Sequence, residues 1–438
     1  MHPIDRKKIL HLSVPAALNN FLDTVQLLID MLMVGRLSPE AIAAVGLSGQ
    51  LIILIYAFLS TFYTGVNALV SRFYGSGSFK EADKTVFNIS VVSLVASLPF
   101  FIFTLFYNNL YFSIMGAEKD VSFLGNQYVS ILSYSVPFLF LGSVLYSALN
   151  ASGDTKTPLF IGIFTNILNT FLNYCLIFGH FGFPVLGVKG AGIATTISYI
   201  LEVLIYLAVF LTGVRKISFY PEFSLSIVKR VLNVGIPAGL EKVFSFASFL
   251  IFVKIIALFG TVALAGYQIG LRIEGLAFMP GFGFAVAAMV IVGQSLGAGK
   301  KKEAEIYVIE ILKLASAFMG SVGLILVIFP EYIAKIFTDD KNTLQQAVLY
   351  LRIVGLSQVP LALEFVLNGA LRGAGATKLT FIVNNLSFWL FRILPAYFLA
   401  IYTKNLLFVY IIMIAETFIK ASILYYFFKK GTWKNIEV

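Results

Sequence analysis

Residues 12–36 read LSVPAALNNFLDTVQLLIDMLMVGR, and this stretch decides the fold class. An α-helix rises 1.5 Å per residue, so the run is long enough to cross about 30 Å of hydrocarbon. Asp23 and Asp30 interrupt it, and their spacing of seven puts both on one face of a helix. A carboxylate at bilayer depth costs about 2.5–3.5 kcal/mol and is typical of sites that hold an ion or a proton. We therefore expect a membrane-spanning helix with a functional Asp30.

The composition agrees with a protein that crosses the membrane many times. Of the 438 residues, 59% are hydrophobic and 12% are charged, against about 45–50% and about 25% in soluble domains. One cysteine and three histidines exclude a disulfide framework and argue against a Cys/His metal site. The basic N-terminus leads into a full-length span without a small-residue cleavage site, so we interpret it as a retained first helix.

Apolar runs of spanning length indicate an all-α membrane protein with twelve transmembrane helices. Lys and Arg concentrate at both termini and in the even-numbered loops, which predicts cytoplasmic termini. The net charge of +10 is then a topology signal, and it does not require nucleic acid as a partner. The predicted spans are 10–34, 41–71, 85–107, 121–150, 157–178, 188–212, 227–259, 263–294, 304–329, 343–371, 378–402 and 405–428.

The chain repeats itself at a constant offset of 222 residues. KILHLSVPAAL at 8–18 recurs as RVLNVGIPAGL at 230–240, and ALNASGDTK at 148–156 recurs as ALRGAGATK at 370–378. Six spans per repeat is an even number, so two six-helix bundles would share one orientation and be related by a pseudo-two-fold along the membrane normal. We predict an N-terminal lobe at 1–212, a cytoplasmic linker at 213–226 and a C-terminal lobe at 227–438. A duplicated structural bundle is the alternative.

Candidate ion ligands cluster in the first half. Asp30 has no basic residue within four positions, so no neighbour on its own helix can neutralise it. Asn169 and Asn173 share one helix face with Asn166, and their oxygens can ligate a hard cation such as Na⁺. Thr195 adds a hydroxyl on the sixth span. Hydrogen bonding between helices is the alternative role for these amides.

Charged residues deep in the second half form a separate set. They could make one buried network that either holds helices together or handles protons, and these alternatives stay open. Pro15 and Pro280 lie inside spans, where proline frees backbone carbonyls and permits bending. The glycine-rich segments lack the G-x-x-x-x-G-K-[ST] pattern, and no catalytic constellation is present, so we expect no enzyme activity and no cofactor. The second-half candidates are Glu241, Arg272, Glu274 and Glu364.

These features resemble the multidrug and toxic compound extrusion (MATE) transporters. The resemblance is carried by DMLMVG at 30–35, GDTKTP at 153–158, YQIGLRIEGLAFMPGFG at 267–283 and GQSLG at 293–297. It implies two helical bundles that export lipophilic or cationic small molecules against an inward flow of Na⁺ or H⁺.

Carried over by position, the resemblance also implies roles for single residues. Asp30 matches the acidic residue that binds the coupling cation, with Asn169 and Thr195 near it. Asn173 falls where several members carry a second Asp, and Glu241 is the candidate for a seventh-span carboxylate.

The sequence therefore predicts a cation-coupled multidrug antiporter that works by alternating access. The expected setting is a monomer in the plasma (inner) membrane of a prokaryote, in contact with lipid and small-molecule drugs or organic cations. A flippase of lipid-linked sugars from the same superfamily is the alternative, which the intramembrane Lys254, Arg272 and Arg392 keep open.

Overall fold

The computed structural model describes residues 5–213 and 217–438, and within these ranges the chain contains helices and connections but no β-strand. A 3₁₀ turn, Ser133–Ser135, joins α5 to α6, and a π-helical segment, Phe388–Ile393, joins α15 to α16. The α-helices are α1 (Arg6–Val34), α2 (Pro39–Ser76), α3 (Phe79–Phe106), α4 (Asn108–Ile114), α5 (Lys119–Leu132), α6 (Val136–Ser152), α7 (Lys156–Phe178), α8 (Val188–Thr212), α9 (Leu225–Ala257), α10 (Thr261–Gly297), α11 (Lys301–Ile328), α12 (Pro330–Ala334), α13 (Lys341–Leu356), α14 (Gln358–Gly373), α15 (Thr377–Ser387), α16 (Leu394–Thr403) and α17 (Leu406–Lys430).

Local sequence signals explain where these helices begin and end. Ser38 caps α2 by accepting the N–H of Ala41 at 3.1 Å, with Pro39 in the first turn where its missing N–H costs nothing. Gly77 and Gly153 end α2 and α6 with φ of 75° and 95°, a left-handed conformation that favours glycine. The turn at Gly153 therefore begins the GDTKTP stretch at 153–158.

The described part of the chain contains ten helical segments long and apolar enough to cross a membrane, and eleven when the bent pair α13–α14 counts as one span. The remaining predicted span, 227–259, is the 33-residue helix α9. The prediction of an all-α protein with many spans is confirmed. The predicted continuous span 343–371 is instead broken, with a bend of 56° between α13 and α14.

The helices form two compact units, which we call the N-terminal unit (Asn19–Gly235) and the C-terminal unit (Met1–Leu18 with Ile236–Val438). Two helices contribute to both. Helix α1 begins in the C-terminal unit and ends in the N-terminal unit, and α9 does the reverse. Pro15 and Pro237, which occupy equivalent repeat positions, lie close to these two transitions.

Each unit has an apolar core and close helix contacts. Phe112, Tyr128 and Ile177 are buried together in the N-terminal unit. In the C-terminal unit, Gly369 and Gly373 of α14 press directly on the backbone of α10, where a Cβ atom would overlap a carbonyl group. Small residues four positions apart are typical of tightly packed membrane helices.

A polar strap follows α8 in the N-terminal unit. Asp83 on α3 accepts the N–H and hydroxyl of Ser218 at 2.9 and 2.8 Å. Lys84 donates to Glu222 at 2.7 Å, and this ammonium group lowers the pKa of the Glu222 carboxyl. Asn88 accepts the N–H of Ser224 at 2.6 Å. Residues 217–224 are thereby held against the beginning of α3.

The C-terminal tail makes a related contact in its own unit. Glu305, which occupies the repeat position of Asp83, pairs with Lys434 at 2.5 Å. Trp433 is buried and donates its indole N–H to the carbonyl of Phe428 at 2.9 Å. In each half of the sequence, the segment after the last helix folds back onto the same acidic position of α3 or α11.

Candidate cation site

Asp30 lies where α1 faces α7. Asn173 on α7 donates its side-chain N–H to Asp30 Oδ1 at 2.6 Å, and Gln26 donates to the same oxygen at 2.7 Å. Gln26 and Asp30 are four residues apart, so they share a face of α1. Among the described residues, Asp30 has no cationic partner, and both of its hydrogen-bond donors are neutral amides.

Gln26 connects the carboxylate to the rest of α7. Its Nε2 also donates to Asn169 Oδ1 at 2.6 Å, and its Oε1 accepts the Thr170 hydroxyl at 2.9 Å. Asn173 donates to Asn169 Oδ1 at 2.8 Å. Gln26, Asn169 and Asn173 are buried, whereas Asp30 is half-buried. The structure thus brings together Asp30, Asn169 and Asn173 and adds Gln26 as their bridge.

One oxygen of this cluster is left over. Asn173 Oδ1 is buried and has no hydrogen-bond partner within the described residues. A buried acceptor without a partner is costly unless it has another ligand. Carboxylate and amide oxygens are the donor atoms that hard cations prefer. Asp30 and Asn173 therefore fit a Na⁺ ion, and the carboxylate alone fits a proton.

The structure does not bring Thr195 into this cluster. Thr195 is buried on α8, and among the described residues it forms no hydrogen bond with Asp30, Asn169 or Asn173.

The second-half candidates separate into different contacts. Glu241 is buried and pairs with Arg372 at 2.5 Å, and it also accepts from Thr380 and Asn384 at 3.1 and 2.7 Å. Glu274 accepts a hydrogen bond from the Tyr350 hydroxyl.

Glu364 belongs to a buried ladder of alternating charge, which continues through α17 to the π-helical segment. Lys420 bridges Glu364 at 2.9 Å and Glu416 at 3.1 Å, and Glu416 pairs with Arg392 at 2.6 Å. Arg272 is exposed and has no ion pair in the part of the chain that the structure describes. Glu241, Arg272, Glu274 and Glu364 are therefore not joined directly to one another.

The two predicted bending positions lie close together in the C-terminal unit. Pro15 is inside α1 and Pro280 is inside α10. Gly283, one turn after Pro280, meets the Ser13 carbonyl and Ala17 so closely that a Cβ atom would overlap them. A bend of α1 at Pro15 would therefore move the residues of α1 that contact this part of α10.

Several residues of these sites were not selected from the sequence, among them Gln26, Thr170 and Arg372. Gln26 had a signal, because it lies four residues from Asp30 on the same helix face. Thr170 and Arg372 had none, since their partners are distant in the chain.

Comparison with known proteins identifies the family. A family model described as MatE matches residues 15–175 and 237–398, which is most of the chain in two repeats. The chain belongs to the MatE family. The predicted resemblance is confirmed, and the protein is a membrane transporter. The two matched regions begin at Pro15 and Pro237, the same pair of positions that the internal repeat relates.

Relatives of the MatE chain carry consistent names. A probable multidrug resistance protein NorM from Thermotoga maritima is 32% identical over 446 residues, covering 100% of this chain and 95% of the relative. A probable NorM from Bacillus cereus is 28% identical and covers 85% of this chain and 84% of its own. The structure of an outward-facing multidrug resistance MATE transporter matches with a TM-score of 0.91 over 98% of this chain and 97% of its own, at 21% identity, and shows the shared fold.

Proposed function

We propose that this MatE protein is a cation-coupled antiporter, in which inward Na⁺ or H⁺ drives the export of lipophilic or cationic small molecules. The observation that carries the proposal is the Asp30 carboxylate, which neutral amides hold beside the unpartnered Asn173 Oδ1. A carboxylate inside a membrane helix is costly unless a cation or a proton neutralises it. The Na⁺ or H⁺ gradient across the membrane can supply that ion. The names of the NorM relatives support drugs as the exported molecules.

The hydrogen bonds of Asp30 suggest how the ion changes the protein. Binding a cation or proton at the carboxylate competes with the amides of Gln26 and Asn173, which join α1 to α7. Rearrangement of α1 would then reach Pro15, next to the point where α1 passes from one unit to the other. An ion shifts an equilibrium only when it binds one state more tightly, so this local change must differ between outward-open and inward-open states. Pro280 on α10 is the second proposed bending point.

The setting follows from the topology signals of the sequence. The distribution of Lys and Arg supports cytoplasmic termini. The bacterial relatives support the plasma membrane of a prokaryote, where we propose that the transporter acts as a monomer. The halves 1–212 and 227–438, joined by 213–226, are the products of duplication. Of the basic residues that favoured a lipid-linked sugar flippase, Arg392 is neutralised by Glu416, which weakens that alternative.

The experiment is dye efflux from proteoliposomes that contain the wild type, Asp30→Asn or the control Asp120→Asn, under separately imposed Na⁺ and pH gradients. Asp120 is an exposed carboxylate in the first turn of α5. We expect one of the gradients to drive efflux by the wild type and by Asp120→Asn but not by Asp30→Asn. Gradient-driven efflux by Asp30→Asn at the wild-type rate would overturn the proposal.

A further inference from the structure

A second carboxylate of α1, Asp23, also lies against α7. Asn19, one turn earlier on α1, donates its side-chain N–H to Asp23 Oδ2 at 3.3 Å. Asn166 of α7 donates to Asp23 Oδ1 at 3.4 Å. Both carboxylate oxygens therefore contact neutral amides, and among the described residues Asp23 has no ion pair. We call Asn19, Asp23 and Asn166 the lower set.

The lower set has the same construction as the site around Asp30. Moving each of its members by seven residues, about two turns of helix, gives Gln26, Asp30 and Asn173, which we call the upper set. In both sets the carboxylate accepts one amide from the residue four positions before it on α1 and one amide from α7. The second half of the sequence lacks such a pair, because the repeat positions of the two carboxylates are Ser245 and Phe252.

Each set also contains a buried amide oxygen that has no hydrogen-bond partner among the described residues. In the upper set it is Asn173 Oδ1, and in the lower set it is Asn19 Oδ1, which belongs to a side chain only 9% exposed. Asn19 Oδ1 lies against Gly162 of α7, where a Cβ atom would be 2.6 Å from it. An unsatisfied buried acceptor is costly and often marks a place for a ligand. The lower set thus offers a carboxylate and a free amide oxygen, the donor atoms that hard cations prefer.

No positive group compensates the lower set within the part of the chain that the structure describes. The ionisable groups in electrostatic reach of Asp23 are one carboxyl, Glu202 of α8, and four phenols. Asp23 is itself exposed, so an ion can reach it from outside the protein core. A carboxylate without a counter-charge inside a membrane helix is typical of a site that meets a cation. The phenols belong to Tyr56 of α2, Tyr146 of α6, and Tyr199 and Tyr206 of α8.

Hydrogen bonds connect the lower set to the upper set. The hydroxyl of Thr170 on α7 donates to Gln26 Oε1 of the upper set at 2.9 Å, and it lies 3.1 Å from the backbone carbonyl of Asn166 in the lower set. Along α1, Asp23 and Asp30 are separated by about 10 Å, at 1.5 Å per residue. A polar surface therefore continues between the two carboxylates.

We propose that Asp23 and Asn19 form a second binding site for the coupling ion, a monovalent cation that is Na⁺ or H⁺. This lower site is the weaker of the two, because Asp23 is exposed and its amide contacts are longer than those of Asp30. With the N-terminus in the cytoplasm, an inward-moving ion that leaves Asp30 meets Asp23 next. The inference rests on the proposed antiport function and adds a second station to the route of the ion.

The test is to count the ions that purified full-length protein binds in detergent. One arm measures ²²Na⁺ by equilibrium dialysis at pH 8.5. The other arm measures proton uptake when a weakly buffered, Na⁺-free solution is taken from pH 9 to pH 5.5. The variants are Asp23→Asn, Asp30→Asn and the two combined, with Asp120→Asn as the exposed control on α5. Thermal melts verify that every variant is folded.

Relative to the double variant, we expect the wild type and Asp120→Asn to bind two more ions per chain in one of the arms. Asp23→Asn and Asp30→Asn should each lose one of these ions. The ion that remains in Asp30→Asn should be bound about tenfold more weakly than the one that remains in Asp23→Asn. A folded Asp23→Asn that binds as many Na⁺ ions and takes up as many protons as the wild type would overturn the proposal.

Gly162→Ala tests the amide oxygen of the lower site without changing either carboxylate. The added methyl group would meet only the side chain of Asn19, so it displaces that side chain and leaves the packing of the backbone intact. We expect the lower ion to bind about tenfold more weakly and the upper ion to be unaffected. Unchanged binding at the lower site would also overturn the proposal, because Asn19 Oδ1 would then not be a ligand.

The outcome is separable from that of the proposed function, because ion counting requires neither a drug nor a gradient. Loss of one ion in Asp23→Asn but none in Asp30→Asn would leave the lower site standing and contradict the proposed role of Asp30. Loss of one ion in Asp30→Asn alone would support that role and remove the lower site.

Discussion

The side-chain amide of Asn173 lies 2.6 Å from the carboxylate of Asp30, although the two residues are 143 positions apart in the chain. The contact joins α1 to α7 and leaves Asn173 Oδ1 free of hydrogen bonds among the described residues. One carboxylate and one amide oxygen thus occupy the place where the sequence resemblance implies two acids in several family members. The consequences can be measured.

Asn173→Asp should strengthen binding of the coupling ion. The new carboxylate would attract a bound cation about 4 Å away by about 4 kcal/mol at an effective dielectric constant near 20. Repulsion between this carboxylate and Asp30 offsets part of the attraction. We expect the ion concentration for half-maximal efflux to fall about tenfold, measured in proteoliposomes. Asn342→Asp, at an exposed position in the first turn of α13, serves as the control for an added carboxylate. An unchanged ion dependence in Asn173→Asp would contradict its place in the site.

Gln26→Ala should weaken ion coupling while sparing drug binding. Gln26 bridges Asp30, Asn169 and Thr170, and hydrogen bonds to charged groups contribute about 1.5–3 kcal/mol. We expect the ion concentration for half-maximal efflux to rise about tenfold, because the ligands lose their positions. The control is Gln50→Ala, an exposed glutamine on α2. Equal behaviour of the two variants would show that Gln26 has no part in the site.

Glu416→Gln should destabilise the C-terminal unit. The Glu416 side chain is fully buried between Arg392 and Lys420, at 2.6 and 3.1 Å. Removing one partner of a buried ion pair leaves uncompensated charge and costs about 3–5 kcal/mol. A thermal melt in detergent should show a lower midpoint than for the wild type or for Glu331→Gln, an exposed glutamate on α12. A melting midpoint equal to that of the wild type would mean that the ladder of alternating charge does not stabilise the C-terminal unit.

Asp83→Asn should loosen the strap formed by residues 217–224. Asp83 accepts two hydrogen bonds from Ser218, and an amide oxygen is a weaker acceptor than a carboxylate. Hydrogen exchange at neutral pH should become faster in this segment, with Asp120→Asn as the exposed control. Unchanged exchange would show that Asp83 does not hold the strap.

The strap should also loosen in acid. The Lys84 ammonium lowers the pKa of Glu222, so their contact is present above the ordinary carboxyl pKa and is lost as pH falls through the lowered value. Hydrogen exchange corrected for its intrinsic pH dependence should rise in residues 217–224 in that range, and Glu222→Gln should abolish the pH dependence. The same acid response in Glu222→Gln would assign it to another group.

The sequence was sufficient for the helical architecture because apolar runs of spanning length are strong signals. It did not show where those runs break. The bend between α13 and α14 falls at Ser357, and the π-helical segment precedes Pro395 by a few residues. Both breaks depend on tertiary packing and on which backbone groups find partners, which hydropathy does not report.

At the candidate ion site too, the sequence predicts some residues and misses others. Asp30 stands out in the sequence because a lone acid in an apolar helix is costly. The bridging role of Gln26 depends on the approach of α7, and a neutral amide gives no comparable warning. In the second half, Glu241 was grouped with Arg272 by depth alone, whereas the fold gives it Arg372, a residue at the end of α14. Depth in a span does not specify which helices become neighbours.

The central claim is that Asp30 binds the ion that is exchanged for the drug. Its most direct test is to load purified protein with ²²Na⁺, or to equilibrate it in weakly buffered solution, and to measure release of Na⁺ or H⁺ when a transported drug is added. The account predicts drug-induced release of one of these ions from the wild type and none from Asp30→Asn. Release of the same size from Asp30→Asn would contradict it.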